Sequence, residues 1–130
     1  MYMRVYYGGS WGEWTEIPVI LEDYYIGDWH ITIWSSGRVE MYLTYDVLNE
    51  NCATALGSWY RTAVMDLGSW PRSIEKPEVS VNYESDGYGA LVWITQAATD
   101  TKAPSCYLIR PTSGNIVSGK ITIKVVGKAK

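Results

Sequence analysis

Apolar side chains that recur at every second residue constrain this chain more than any other feature. In Trp29-His30-Ile31-Thr32-Ile33 the odd positions are apolar, and the stretch runs through Trp34 to end at Ser35-Ser36-Gly37. Val39, Met41, Leu43 and Tyr45 then alternate with Glu40, Tyr42 and Thr44. Two such runs around a short glycine-containing loop predict a β-hairpin. The same period predicts strands at residues 79–84 and 120–126, the latter with Ile121, Ile123 and Val125 inward and Lys120, Thr122 and Lys124 on a solvated edge. Residues 90–94 are continuously apolar, as expected of a central strand covered on both sides. A short strand at residues 107–109 is closed by Arg110-Pro111-Thr112-Ser113-Gly114, and residues 17–21 carry the best strand signal near the start. No stretch keeps a 3.6-residue period with caps, and Gly57-Ser58 interrupts residues 47–61. The expectation is an all-β fold, a single-domain antiparallel β-sandwich of jelly-roll or lectin-like type. Residues 1–27 form an irregular entry and residues 28–130 the sandwich.

A chain of 130 residues with 47% hydrophobic and 19% charged residues can build one core without metal or disulfides. A net charge of −3 argues against nucleic acid as a partner. No apolar run is long enough to cross a bilayer, so no membrane insertion is expected, and Met1-Tyr2-Met3-Arg4 lacks the apolar segment of an export signal. Cys52 and Cys106 match no metal spacing, and with a single His they cannot complete a tetrahedral site. Their pairing is open from sequence, and two reduced, partly buried thiols are the default. No cofactor motif is present. Gly8-Gly9-Ser10 leads into no helix that could cradle a phosphate.

Seven Trp and eleven Tyr occur with no Phe. Every ring therefore carries a polar handle, the type preferred where one end is dry and the other meets water, a sugar hydroxyl or a partner. Packing and strand preference account for about two thirds of such rings in a small β-protein. The remainder points to binding. Carbohydrate recognition needs flat rings beneath a sugar and polar groups for its hydroxyls. Trp59-Tyr60-Arg61, Trp70 with Arg72, and Tyr88 beside Asp86 are ring–polar clusters next to turn residues, and these seven are the candidate ligand-binding residues. Trp29 and Trp34, five apart on a strand, point to opposite faces, one to the core and the other to solvent or a second subunit. A hydrolytic site is not marked: His30 is the only His and no G-x-S-x-G elbow exists. Among the acids, Asp66, Glu40 and Asp46 are the first suspects for a carboxylate pair.

Three segments in order carry a resemblance. Trp29 to Tyr45, WHITIWSSGRVEMYLTY, resembles the Trp-x4-Trp-x-Ser/Asp-Gly-x-x-Glu-x-aromatic hairpin in C-terminal head domains of phage and prophage tail fibres of Gram-positive bacteria, with Trp29, Trp34, Gly37, Glu40 and Tyr42 at the corresponding places. Ser69-Trp70-Pro71 followed by Lys76-Pro77-Glu78-Val79-Ser80-Val81 is similar to that family's aromatic-Pro loop and the strand after it. The end, from Tyr107 to Lys130, looks like its "RPTS…VSG" turn and terminal strand. The family usually closes with Gly-Arg/Lys-Trp-Lys, whereas Ala129 follows Gly127-Lys128 here, and residues 1–28 carry no part of the resemblance. The resemblance implies a β-sandwich at the tip of a homotrimeric fibre. Such a head recognises polysaccharide or another glycan on the bacterial surface, and is made in the bacterial cytoplasm and carried on the virion. A more distant similarity is to six-stranded trimeric lectins. The alternatives are a structural domain that trimerises or caps a fibre without touching a receptor, and a small glycan-degrading enzyme.

Overall fold

The computed structural model describes residues 1–85 and 89–129, and every named element is a β-strand. Four two-residue strands open the chain: β1 (Tyr2–Met3), β2 (Tyr6–Tyr7), β3 (Ser10–Trp11) and β4 (Thr15–Glu16). The body begins with β5 (Ile20–Ile26), β6 (Trp29–Trp34) and β7 (Arg38–Cys52). It continues through β8 (Thr54–Leu56), β9 (Trp59–Arg61), β10 (Met65–Asp66) and β11 (Ile74–Ser85). The last three strands are β12 (Leu91–Gln96), β13 (Ser105–Arg110) and β14 (Gly114–Ala129).

Two five-stranded antiparallel sheets face each other. The larger has the order β11-β14-β7-β6-β5, and in the smaller β13 is flanked by β12 on one side and by β9 and β10 on the other, with β8 outside β9. The hairpin expected around Ser35-Ser36-Gly37 is β6–β7, with Ile31 opposite Met41 and Ile33 opposite Val39. Gly37 takes a φ of 87°, which the tight turn requires and few other residues adopt. Because the side-chain period is two, this register sends Ile31, Ile33, Val39, Met41 and Leu43 inward as one set. They join Ile121, Ile123 and Val125 of β14 and Cys106 and Leu108 of β13 in a single core.

Several expectations are corrected. Lys120 and Lys124 do face solvent, but β14 is an interior strand between β11 and β7, so they lie on a wet face and not on an edge. β7 and β14 pair from Arg38 to Cys52, far beyond the alternating stretch, because Asn49 at φ 50° lets the chain pass the point where alternation breaks. Pro18 cannot donate to a ladder and divides residues 17–21, so the strand falls at Ile20–Ile26 and joins the large sheet beside β6. In β11 the register shifts between Glu75 and Glu78, with Lys76 at φ 47° before Pro77, a bulge where proline withdraws an N–H. The run at residues 90–94 is not central. Among the described residues β12 pairs only with β13, so it is an edge strand, and Leu91, Trp93 and Ile94 stand exposed.

Candidate functional site

The exposed side of the small sheet is assembled by register. Trp93 lies opposite Tyr107 and Leu91 opposite Ile109, while Ile109 also lies opposite Arg61. The hairpin of β8 and β9, closed at Gly57 with φ 58°, sets Thr54 opposite Arg61 and Leu56 opposite Trp59. Residues opposite one another, or two apart along a strand, share a face. Trp93, Tyr107, Leu91, Ile109, Arg61, Trp59 and Leu56 therefore form one surface. The intervening Val92, Leu108 and Tyr60 turn to the core.

Trp93 is 55% and Trp59 40% exposed, whereas Ile109 is only 9% exposed beneath its neighbours. The guanidinium of Arg61 lies over the Tyr107 ring, 5.3 Å from its centroid, and Nη1 donates to the carbonyl oxygen of Thr62 at 3.0 Å. That contact holds a cation within an apolar surface, where the guanidinium fork can offer N–H groups to a ligand. From strand spacing and rise, Trp93 and Trp59 stand about 16 Å apart on a diagonal. The platform is an exposed sheet face, suited to an extended ligand lying across rings and less to one enclosed on all sides.

Of the seven residues expected to bind a ligand, Trp59 and Arg61 meet here, on a strand and not in a loop. Tyr60 packs against the core, and its carbonyl lies 3.5 Å from the Cys52 thiol. Trp70 is a core ring: it is 6% exposed, meets Trp29 edge-on at 5.5 Å, and donates its indole N–H to the carbonyl oxygen of Thr99 at 2.8 Å. It has no face to offer. Arg72 is half-buried in the bend before β11, with no strand pairing that brings it to the platform. Asp86 and Tyr88 lie outside the described residues. The residues missed were Trp93, Tyr107, Leu91 and Leu56, and the signal was available in the apolar run 90–94, which also suits an edge strand with one exposed face.

The exposed side of the large sheet is different in kind. His30 Nε2 and Asp23 Oδ1 are 2.5 Å apart, and Asp23 Oδ1 also accepts a hydrogen bond from Thr32 Oγ1 at 3.0 Å. These bonds hold the Asp23 carboxyl below the usual carboxylate range, His30 contributing most. Tyr25 stacks on His30 with centroids 4.5 Å apart and planes 10° from parallel. Trp34 shares this side of β6 while Trp29 is buried, as the five-residue spacing predicted. Glu40 is paired with Arg38 at 2.8 Å. Six residues along one strand put Glu40 and Asp46 about 20 Å apart, against roughly 5–9.5 Å for a glycoside-cleaving pair. Asp66 is on the other sheet, bound to the Gly68 N–H and to Lys102, which lower its pKa in that order.

Cys52 and Cys106 are both buried and unbonded, and burial pushes both thiols up. Among the described residues no group of three or more His, Cys, Asp or Glu could hold a metal ion, and no helix is long and apolar enough to cross a membrane. No family model, no curated protein and no solved structure matches the chain.

Proposed function

We propose that this protein is a binding module, a phage or prophage tail-fibre head that assembles as a homotrimer and docks to bacterial surface carbohydrate at the tail tip. The observation that carries the reading is the platform of Trp93, Tyr107, Arg61 and Trp59. Rings of this kind lie against the C–H faces of sugars while a guanidinium takes hydroxyl or acidic groups. Only Trp29 and Trp70 among the described rings are buried, and Tyr24, Tyr60 and Tyr83 pack half-buried against the core, so the rings left exposed exceed what packing uses. Three such platforms on a rigid head would multiply weak single-site affinity by orders of magnitude.

A glycan array probed with the purified oligomer tests it. Binding is expected, and Trp93→Ala or Trp59→Ala should abolish it with melting temperature unchanged. Retention of binding in both variants refutes the platform, and an array with no hits refutes the receptor role.

A second reading, a trimerising or capping domain without a receptor, draws on residues 1–16. Every one is exposed, and Arg4 sits between Trp11 and Trp14 at 4.6 and 4.5 Å from their centroids. Rings that their own subunit leaves open are available to a neighbouring one. Light scattering on the full chain and on a form lacking residues 1–16 separates the readings. Loss of the oligomer together with intact glycan binding assigns residues 1–16 to assembly and the platform to recognition.

A further inference from the structure

Residues 1–17 form a hairpin that lacks support from its own subunit. Tyr2 lies opposite Glu16 and Met3 opposite Thr15, then Tyr6 opposite Trp11 and Tyr7 opposite Ser10 around Gly8-Gly9. The Gly12 N–H donates to the Val5 carbonyl oxygen and the Ile17 N–H to that of Met1, each at 2.8 Å. Residues 1–16 are exposed throughout, and none belongs to the core. Two strands alone are marginal in water and need a third strand or an apolar surface to hold. Met1, Met3, Val5 and Tyr7 alternate with Tyr2, Arg4 and Tyr6, so they make one apolar stripe without cover.

A matching deficit lies elsewhere on the sandwich. Among the described residues β11 and β12 each end a sheet, and between them runs a groove of about 290 Å³ lined by Val79, Val81, Val92, Ile94, Ala98 and Pro104. Val92 and Ile94 lie opposite Leu108 and Cys106 on the core side of β13, yet Ile94 is 43% exposed. Val79 and Val81 also pack against the core and are still half-buried. The seam between the sheets is therefore open there. β12 carries neither charge nor proline, the devices that keep an edge strand from taking a partner.

In its own subunit the hairpin is held at the opposite side. It leads through residues 17–19 into β5, at the far edge of the large sheet from β11, four strand spacings or about 19 Å away. Val19 is anchored there, its N–H donating to Ser35 Oγ and its carbonyl oxygen accepting from the Ser35 N–H. Length and charge both suit a second copy. A strand of seven residues spans about 23 Å and the six residues of β12 about 20 Å. Residues 1–7 bring Arg4 and no acid, while β11 beside the groove brings Glu75, Glu78 and Glu84, none ion-paired among the described residues, against Lys76 alone. Met1, Met3, Val5 and Tyr7 offer on the order of 500 Å², so with the seam they cover the contact reaches the roughly 1,000 Å² of a specific interface.

We infer that the hairpin of one copy docks on another as a strand added along β12, with Met1, Met3 and Val5 covering the seam. Tyr2, Arg4 and Tyr6 then continue the outer face of the small sheet beside Trp93, so the neighbour extends the ring platform. This rests on the assembly role given above to residues 1–16 and adds the surface that receives them.

Light scattering over a dilution series of the full chain, Met3→Asp and Ile94→Lys tests it, with circular dichroism checking that each variant folds. Each change should weaken self-association at least about tenfold, and the double variant should recover it, because the new carboxylate then meets the new ammonium across the interface. Chains carrying Val5→Cys, refolded together with chains carrying Ile94→Cys, should form a mixed disulfide under mild oxidation, and this result decides alone should Ile94→Lys fail to fold. An oligomer lost in Met3→Asp but kept in Ile94→Lys leaves the hairpin its assembly role and overturns the seam as its receiver, as does an oligomeric mixture without the mixed disulfide. A monomeric parent, or an oligomer indifferent to both changes, overturns the assembly role together with the inference.

Discussion

Truncating Trp70 separates rings that build the body from rings that serve its surface. Burying about 200 Å² of indole at ~25 cal/mol/Å² is worth up to ~5 kcal/mol, an upper bound because the unfolded chain already hides part of that area. The edge-on contact with Trp29 adds ~1 kcal/mol. The hydrogen bond to Thr99 adds ~1 kcal/mol more. Thr99 is exposed, so its carbonyl can turn to water after the indole is gone and no orphaned acceptor is left. Trp-to-Ala changes in cores cost ~3–5 kcal/mol, and Trp70→Ala belongs in the upper part of that range. Against a total stability of roughly 5–15 kcal/mol for a domain, that brings the variant close to unfolding. Trp70→Phe keeps most of the packing but loses the hydrogen bond, and should cost ~1–2 kcal/mol. Trp93→Ala, at an exposed ring, should stay within ~0.5 kcal/mol. Urea unfolding followed by far-UV circular dichroism measures all three, with equal slopes confirming a change in stability alone. A Trp70→Ala variant within about 1 kcal/mol of the parent, or a Trp93→Ala variant as costly as Trp70→Ala, refutes the division.

Three further outcomes are expected. Gly127→Ala should destabilise by ~1–3 kcal/mol, because its Cβ would lie 2.6 Å from both the Glu75 carbonyl oxygen and Ile74 Cγ1; thermal melts measure it. Thr62 is fully buried, and its Oγ1 accepts from the Leu108 N–H at 3.1 Å while donating to the Ala63 carbonyl at 3.0 Å. Thr62→Val strands that N–H and should cost ~1–3 kcal/mol, with faster amide exchange at Leu108 as the local signature. The Asp23 carboxyl has its folded pKa depressed below 3.8, chiefly by His30 and then by Thr32. Its contribution to stability is therefore complete above 3.8 and is lost as pH falls through the lower folded value. Asp23→Asn should flatten that acid limb in denaturation curves taken across the range, and an unchanged limb counts against the pairing.

Residues 29–45 show how far alternation reaches. A one-residue slip would put Ile31, Ile33, Val39 and Met41 into water, so the hairpin, its register and its buried side all follow from the order of residues. The opposite orientations of Trp29 and Trp34 follow for the same reason. Both cysteines, by contrast, show that spacing is silent on pairing: only their positions in the folded core leave them unbonded.

Alternation, turn residues and the absence of helical periodicity determined an antiparallel all-strand sandwich, because these signals act between neighbours in the chain. The choice of which strand ends a sheet was made only in three dimensions, since it depends on partners far apart in sequence. β12 and an interior strand can share the same apolar run, yet one leaves Trp93 in water and the other would bury it. The same long-range pairing turned Trp59 and Arg61 outward beside Tyr107, and folded Trp70 and Arg110 inward. A local pattern states which side of a strand is apolar; what lies against that side is decided by the rest of the fold.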